Sequence, residues 1–402
     1  MNIAFLTKEY HPSTVDAGFT TILNLAKEIK NKGHRVVMIS GRQKYTEHKD
    51  LIPATMNVEY AEGISIHRPY YFPWFKTNYW FLDFTMLFNR FLAASLGIRY
   101  IEKKRKIEFD IVHSFSSSPI LAINSILAKL FSKKAKIVHS IKSFSEMDMY
   151  SFTWAGHISL RILNFCDAVL VPLQHIKEKL ILKGCSKDKI HIIHSPLNLD
   201  SFNTQDKNKL RSQYKINKKK KIILYYGNRV ESKGADVLIE AVKYLPEKED
   251  FLILLFFPTE INKKDSQRIK EIKNGNKIKI FAEKINVVDY LNMADLLVLP
   301  YRHLKSTEAN PLCLLEAMAC KTPVVTTNIP EIKELVTDYK DVLMANPNDP
   351  KSLANKIIEL LNNPKLQKQL TTNAFKTVQK FDIKIIAQQH LELYQKLLNQ
   401  RI

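Results

Sequence analysis

The feature that most restricts the fold of this chain is an alternation of short apolar runs with longer segments of helical periodicity. Ile3–Leu6, Arg35–Ser40, Ile111–His113, Lys136–His139, Ala168–Val171 and Ile190–Ile193 read as strands, and Thr20–Lys32 as a helix closed by Gly33. The pattern resumes with Ile222–Tyr226, Phe251–Phe256, Ile278–Phe281, Leu296–Pro300 and Val324–Thr327. Strands spaced this way form parallel sheets with helices on their faces. Between the two series, Asn203–Lys220 is polar and basic without an apolar face, which marks a break near residue 205. The expectation is an α/β chain of two Rossmann-like domains, 1–204 and 205–380. A terminal segment, 381–402, carries a helix with apolar positions 383, 386, 387, 391, 394, 397 and 398 that can pack back on the first domain. Open parallel sheets bind ligands beyond the carboxyl ends of their strands, so two such domains are expected to face one another across a cleft.

Composition excludes several chemistries. Only 10 of 402 residues are glycine, against a usual ~7%. Neither G-x-G-x-x-G nor G-x-x-x-x-G-K-[ST] occurs, which argues against a standard dinucleotide fold or P-loop enzyme. The 61 Lys and Arg exceed the 40 Asp and Glu by 21. The excess is spread over both halves, whereas a nucleic-acid binder concentrates it on one module, so no nucleic-acid partner is expected. The longest basic runs are Lys103–Lys106 and Lys218–Lys221. They read as a solvated lysine surface or as attraction to phosphates of a nucleotide or a membrane. Four cysteines (Cys166, Cys185, Cys313, Cys320) show neither metal spacing nor a disulfide framework and fit a cytoplasmic protein. The segment MNIAFLTKEY lacks the apolar core of a signal peptide and reads as a first strand. Tyr79–Ile98 is apolar but contains Asp83 and Arg90, which are costly at a bilayer centre. Two readings stay open for it: an aromatic core helix, or a peripheral contact with the inner face of the membrane through residues 70–106.

Two stretches carry chemistry. In YYGNRVESKGADVLIEA (225–241) a strand ends at Gly227, and Arg229 and Lys233 precede a helix starting near Ala235. Two cations beside the amides of a helix start suit a diphosphate. In EANPLCLLEAMACKTPVVT (308–326), Asn310 suits an N-cap and Pro311 a first helical position. Glu308 precedes that helix. Glu316 lies within it among apolar neighbours, where a carboxylate needs hydrogen-bond donors such as ribose or sugar hydroxyls.

With these stretches in order, the chain resembles a family 4 glycosyltransferase of the GT-B fold over nearly its whole length. The most specific match is the pair Glu308 and Glu316, eight positions apart, followed by E-A-M-A and P-V-V. The resemblance implies a retaining glycosyltransferase that moves a sugar from a nucleotide-diphosphate sugar to an acceptor hydroxyl on a glycan or lipid-linked carrier. It implies that Glu308 contacts donor-sugar hydroxyls, Glu316 the ribose, and amides near Asn310, Pro311 and Leu312 the diphosphate. Arg229 and Lys233 look like the cationic pair at the diphosphate. Ala17-Gly18 sits where the family has a Gly-Gly loop, and His139 matches the position whose imidazole faces the donor sugar. The first domain would serve the acceptor. No D-x-D-like acidic cluster stands where the phosphates would bind, so neither a metal nor another cofactor is expected. The chain departs from the family pattern at Asn228, where an Arg is usual, and at Ala17, Ala309 and Lys321, which replace glycines. These departures motivate the alternative of a non-catalytic nucleotide-sugar-binding subunit.

Overall fold

The computed structural model describes residues 1–10, 17–42, 57–61, 63–68, 93–116, 119–130, 132–141, 160–258, 263–304 and 311–400. Their contacts divide the chain into Met1–Pro196 with Ile383–Ile402, and Leu197–Asp382.

The first unit holds strands β1 (Asn2–Tyr10), β2 (Arg35–Arg42), β3 (Asn57–Ala61), β4 (Ile64–Arg68), β5 (Ile111–Phe115), β6 (Lys136–Ser140), β7 (Ala168–Val171) and β8 (Ile190–Ile192). They form one sheet in the order β3-β4-β2-β1-β5-β6-β7-β8, and every pair but β3/β4 is parallel. Alternate residues of the strands, among them Phe5, Met38, Ile66, Ile111 and Val138, point to one face. There they meet Phe19, Ile22, Leu23, Ala26 and Ile29 of helix Ala17–Asn31. The same core takes Ala387, Leu391, Tyr394 and Leu397 of helix Ile383–Asn399, so the terminal helix packs back on this unit. Gly33 closes the first helix at φ +85, a left-handed conformation that glycine reaches without steric cost. Of the aromatic segment, residues 69–92 lie outside the described residues; helix Ala93–Arg105 follows it. Among the described residues no helix is long and apolar enough to cross a membrane.

The second unit holds β9 (Lys221–Tyr226), β10 (Phe251–Phe257), β11 (Ile278–Ala282), β12 (Leu296–Val298), β13 (Val324–Thr327) and β14 (Leu343–Ala345), in the order β11-β10-β9-β12-β13-β14, all parallel. The chain builds outward from β9 to β11, then returns to the other side of β9 with β12. This reversal between β9 and β12 opens a crevice outside their carboxyl ends.

The polar stretch 203–220 does not mark the break, because the second unit already begins at Leu197. It forms helix Lys207–Gln213 within the second unit, with Leu210 and Arg211 buried. The Arg211 guanidinium donates to Met293 O, Lys218 O, Lys220 O and Asp295 Oδ2 at 2.8–3.1 Å. A buried cation so fully bonded looks like surface composition in a sequence. Burial alone would raise the Asp295 carboxyl, but the Lys207 ammonium and Arg211 guanidinium hold it below the ordinary range. Its folded pKa is therefore below its unfolded value, so the stabilisation is complete above about pH 4 and is lost as pH falls through the folded value. Acid titration of stability, followed by urea melts, should show this loss in wild type and its absence in Asp295→Asn.

Candidate functional site

The site is built at the β9/β12 reversal of the second unit. Tyr226 ends β9, and Gly227 follows at φ +147. A Cβ at Gly227 would stand 3.2 Å from Lys233 Nζ, so the Lys233 side chain crosses directly against the strand end. Glu231–Lys233 is a 3-10 turn, and Gly234 at φ +67 starts helix Ala235–Ala241. A Cβ at Gly234 would fall 2.0 Å from the Pro300 carbonyl oxygen, so any side chain there forces the turn away from β12. Gly234→Ala is accordingly expected to cost at least about 2 kcal/mol through the left-handed φ alone, and to weaken donor binding; denaturant melts and ligand titration would read both.

Arg302 fastens this loop. Its guanidinium donates to both Asp236 carboxylate oxygens at 2.8 and 2.6 Å and to Glu231 O at 2.7 Å, and its amide donates to Ser232 O. Burial would raise the Asp236 carboxyl, but the bidentate pair with Arg302 holds it below the ordinary range, so it stays ionised.

Across the crevice stands helix Leu312–Ala319. Pro311 occupies the position before its first turn, at φ −67 and ψ 104, instead of the first helical position. Pro311 has no N–H to offer. The Leu314 amide donates back to Pro311 O at 3.0 Å, which leaves the Leu312 and Cys313 amides as the donors this end can present. Glu308 and Asn310 lie outside the described residues. At the other end, Lys321 takes a left-handed φ of +56 and its amide reaches Met318 O, so a lysine fills the helix-closing place where the family has glycine.

Glu316 does not wait for a ligand to satisfy it. The Tyr226 hydroxyl donates to Glu316 Oε2 at 2.6 Å. Burial and the adjacent Glu316 carboxylate keep the Tyr226 phenol far above its ordinary pKa, hence always a donor. The Cys313 thiol donates to Tyr226 O at 3.9 Å, and burial together with Glu316 pushes it up to about 12, against the opposing charge of Lys233. Arg229 is half-buried and electrostatically coupled to the Tyr225 phenol. Arg229, Lys233 and Glu316 are thus gathered around Tyr225–Gly227 and Cys313. The Lys233 ammonium has no ion-pair partner among the described residues, and a half-buried, unneutralised cation beside a helix start invites an anion. Beside this group, Phe256 stacks on Phe281 at 4.8 Å and meets Tyr290 edge-on, giving β10 and β11 an aromatic edge.

The first unit holds two of the candidate residues, Gly18 and His139. Gly18 lies in the first turn of helix Ala17–Asn31, at the unit's own reversal between β1 and β5. His139, expected to face a sugar, is 0% exposed inside β6. Its Nδ1 is hydrogen-bonded to Ser114 Oγ at 2.7 Å, its Nε2 has no partner, and burial lowers its pKa to about 3. As packed among the described residues, it is a fully buried, neutral side chain. Sequence spacing finds the strand end, but it cannot tell which face of the strand a histidine takes.

Tyr226, Cys313 and the Arg302–Asp236 clamp were not singled out by the sequence. Their one signal is position: Tyr226 ends an apolar run directly before Gly227, and Cys313 lies three residues before Glu316, one helical turn away.

Two family models match the chain in succession: "Glycosyltransferase Family 4" over residues 19–201 and "Glycosyl transferases group 1" over residues 206–377. An uncharacterized glycosyltransferase of Methanocaldococcus jannaschii is 32% identical over 39% of this chain and 43% of its own length. The N,N'-diacetylbacillosaminyl-diphospho-undecaprenol alpha-1,3-N-acetylgalactosaminyltransferase of Campylobacter jejuni is 27% identical over 54% of this chain and 56% of its own length. The chain therefore spans about half the length of these two curated relatives. Among solved structures, Anabaena HepE in complex with UDP and glucose superposes with a TM-score of 0.73 at 17% identity, over 98% of this chain and 100% of that one.

Proposed function

Because the chain belongs to the family 4 glycosyltransferases, we propose that it moves a glycosyl group from a nucleotide-diphosphate sugar to an acceptor hydroxyl, with retention of anomeric configuration. The observation that carries this reading is the gathering of Arg229, Lys233, Glu316 and the start of helix Leu312–Ala319 at one strand end. In this reading the acceptor oxygen bonds to the anomeric carbon as the bond from that carbon to the diphosphate oxygen breaks. The acceptor proton passes to the departing phosphate. The charge that builds on the diphosphate is met by Lys233, Arg229 and the first-turn amides, so the reaction requires no divalent ion. Glu316, held in place by Tyr226, accepts hydrogen bonds from the ribose, and Glu308 contacts the donor sugar. The aromatic edge at Phe256 and Phe281 takes the base. The first unit serves a glycan or lipid-linked acceptor, a choice supported by the diphospho-undecaprenol in the name of the Campylobacter relative. Residues 70–106 supply a peripheral membrane contact.

The test has two parts. A thermal-shift panel of nucleotide sugars identifies the donor, because a ligand at about 100 times its Kd adds about 2.7 kcal/mol. Transfer is then measured in EDTA for wild type and Glu308→Ala. The expected outcome is turnover in EDTA that Glu308→Ala abolishes; equal background in both chains would contradict catalysis.

A further inference from the structure

The amino edge of the first unit carries a second cationic site, on the far side of the sheet from its strand carboxyl ends. Lys30 stands in the last turn of helix Ala17–Asn31, Arg35 begins β2, and Arg105 ends helix Ala93–Arg105. With His34, Tyr60 and Ser65 they line a cavity of about 460 Å³, and no acidic residue lines it. Some positive charge here answers the two helix carboxyl ends, and Lys30 is committed: its Nζ donates to Gly63 O at 2.7 Å. Arg35 and Arg105 are not. Neither guanidinium has a hydrogen bond or a carboxylate partner among the described residues. Elsewhere in this unit Lys129, Lys134 and Lys136 are all paired with Asp167 or Glu108. His67, on the same face of β4 as Ser65, is buried beside Arg105 with both ring nitrogens unpartnered.

We propose that this edge cavity binds a phosphate group carried by another molecule, with Arg35 and Arg105 as the two forks that grip it. Planar guanidinium groups match phosphate oxygens in paired hydrogen bonds, and two on one cavity wall without carboxylates suit a dianion. The hydroxyls of Ser65 and Tyr60 complete the lining. The same chemistry could be presented by a soluble phosphorylated compound or by a phosphomonoester lipid headgroup. The inference stands apart from the donor-site reading.

The experiment uses the full chain with Arg229→Ala and Lys233→Ala as background, which removes the other cationic site. Equilibrium dialysis with inorganic pyrophosphate reports the soluble form. Sedimentation with phosphatidylcholine vesicles, with or without 30% phosphatidic acid, reports the headgroup. In one or both arms the background chain is expected to bind, and adding Arg35→Ser and Arg105→Ser to weaken that binding about tenfold or more. Arg35→Lys with Arg105→Lys should fall between, because charge is kept and the fork is lost. Dominance of the pyrophosphate arm assigns a soluble ligand, and dominance of the phosphatidic acid arm assigns a headgroup. Absence of binding in both arms, or binding unchanged by the two serine substitutions, would overturn the site. Arg35 is exposed and Arg105 half-buried, so an unchanged melting temperature will show that the serine chain remains folded.

Discussion

Lys233→Ala is expected to lower kcat about 10²–10³-fold, the loss typical of removing one group that meets charge developing in a transition state. The reason is local. Lys233 reaches the end of β9, where Gly227 offers no Cβ to block it, and among the described residues no carboxylate pairs with it. Donor affinity should fall less than turnover, because the diphosphate gains charge as the glycosyl bond breaks. Initial-rate kinetics separate the two, and a variant with altered KM but unchanged kcat would place Lys233 outside the chemistry.

The second large effect concerns stability. Tyr394 of the terminal helix is fully buried, and its hydroxyl lies 2.5 Å from His113 Nδ1, whose Nε2 is bonded to Ser140 Oγ at 2.7 Å. Tyr394→Ala opens a cavity in the first unit and removes the hydroxyl partner of His113 Nδ1, with an expected cost of about 3–5 kcal/mol. Tyr394→Phe keeps the volume and orphans only Nδ1, for about 1–3 kcal/mol. Urea melts resolving the first unit's transition would show this ranking. Equal, small losses would mean that the helix is held by its aliphatic residues alone.

The layout was largely legible because most of the parallel strands read as apolar runs: β1, β2 and β5 to β13 stand where Ile3, Arg35, Ile111 and their successors announce them. The strands β3, β4 and β14 were not seen. Residues such as Glu59 and His67 interrupt the apolar pattern of β3 and β4, and β14 is only three residues long. Helix Lys207–Gln213 was hidden because its anchor is a buried arginine, which composition scores as surface. Within the site, Arg229, Lys233 and Glu316 were legible from residue type and order. What satisfies Glu316 was not, since Tyr226 is 90 residues away in sequence and reaches it only through the β9/β12 reversal. The burial of His139 inside β6 was not legible either, because a strand-end position does not say how deeply a side chain is covered.

In the proposed reaction, side chains of the second unit hold a nucleoside diphosphate without a divalent ion. Calorimetric titration of UDP, GDP and ADP into the intact chain in EDTA tests it most directly, with Lys233→Ala and Glu316→Ala in parallel. One of the three nucleotides should bind, its monophosphate more weakly, and each substitution should weaken it about tenfold or more, as expected for the loss of a charge-assisted hydrogen bond. Failure of all three to bind without a metal, or binding indifferent to both substitutions, would contradict the account.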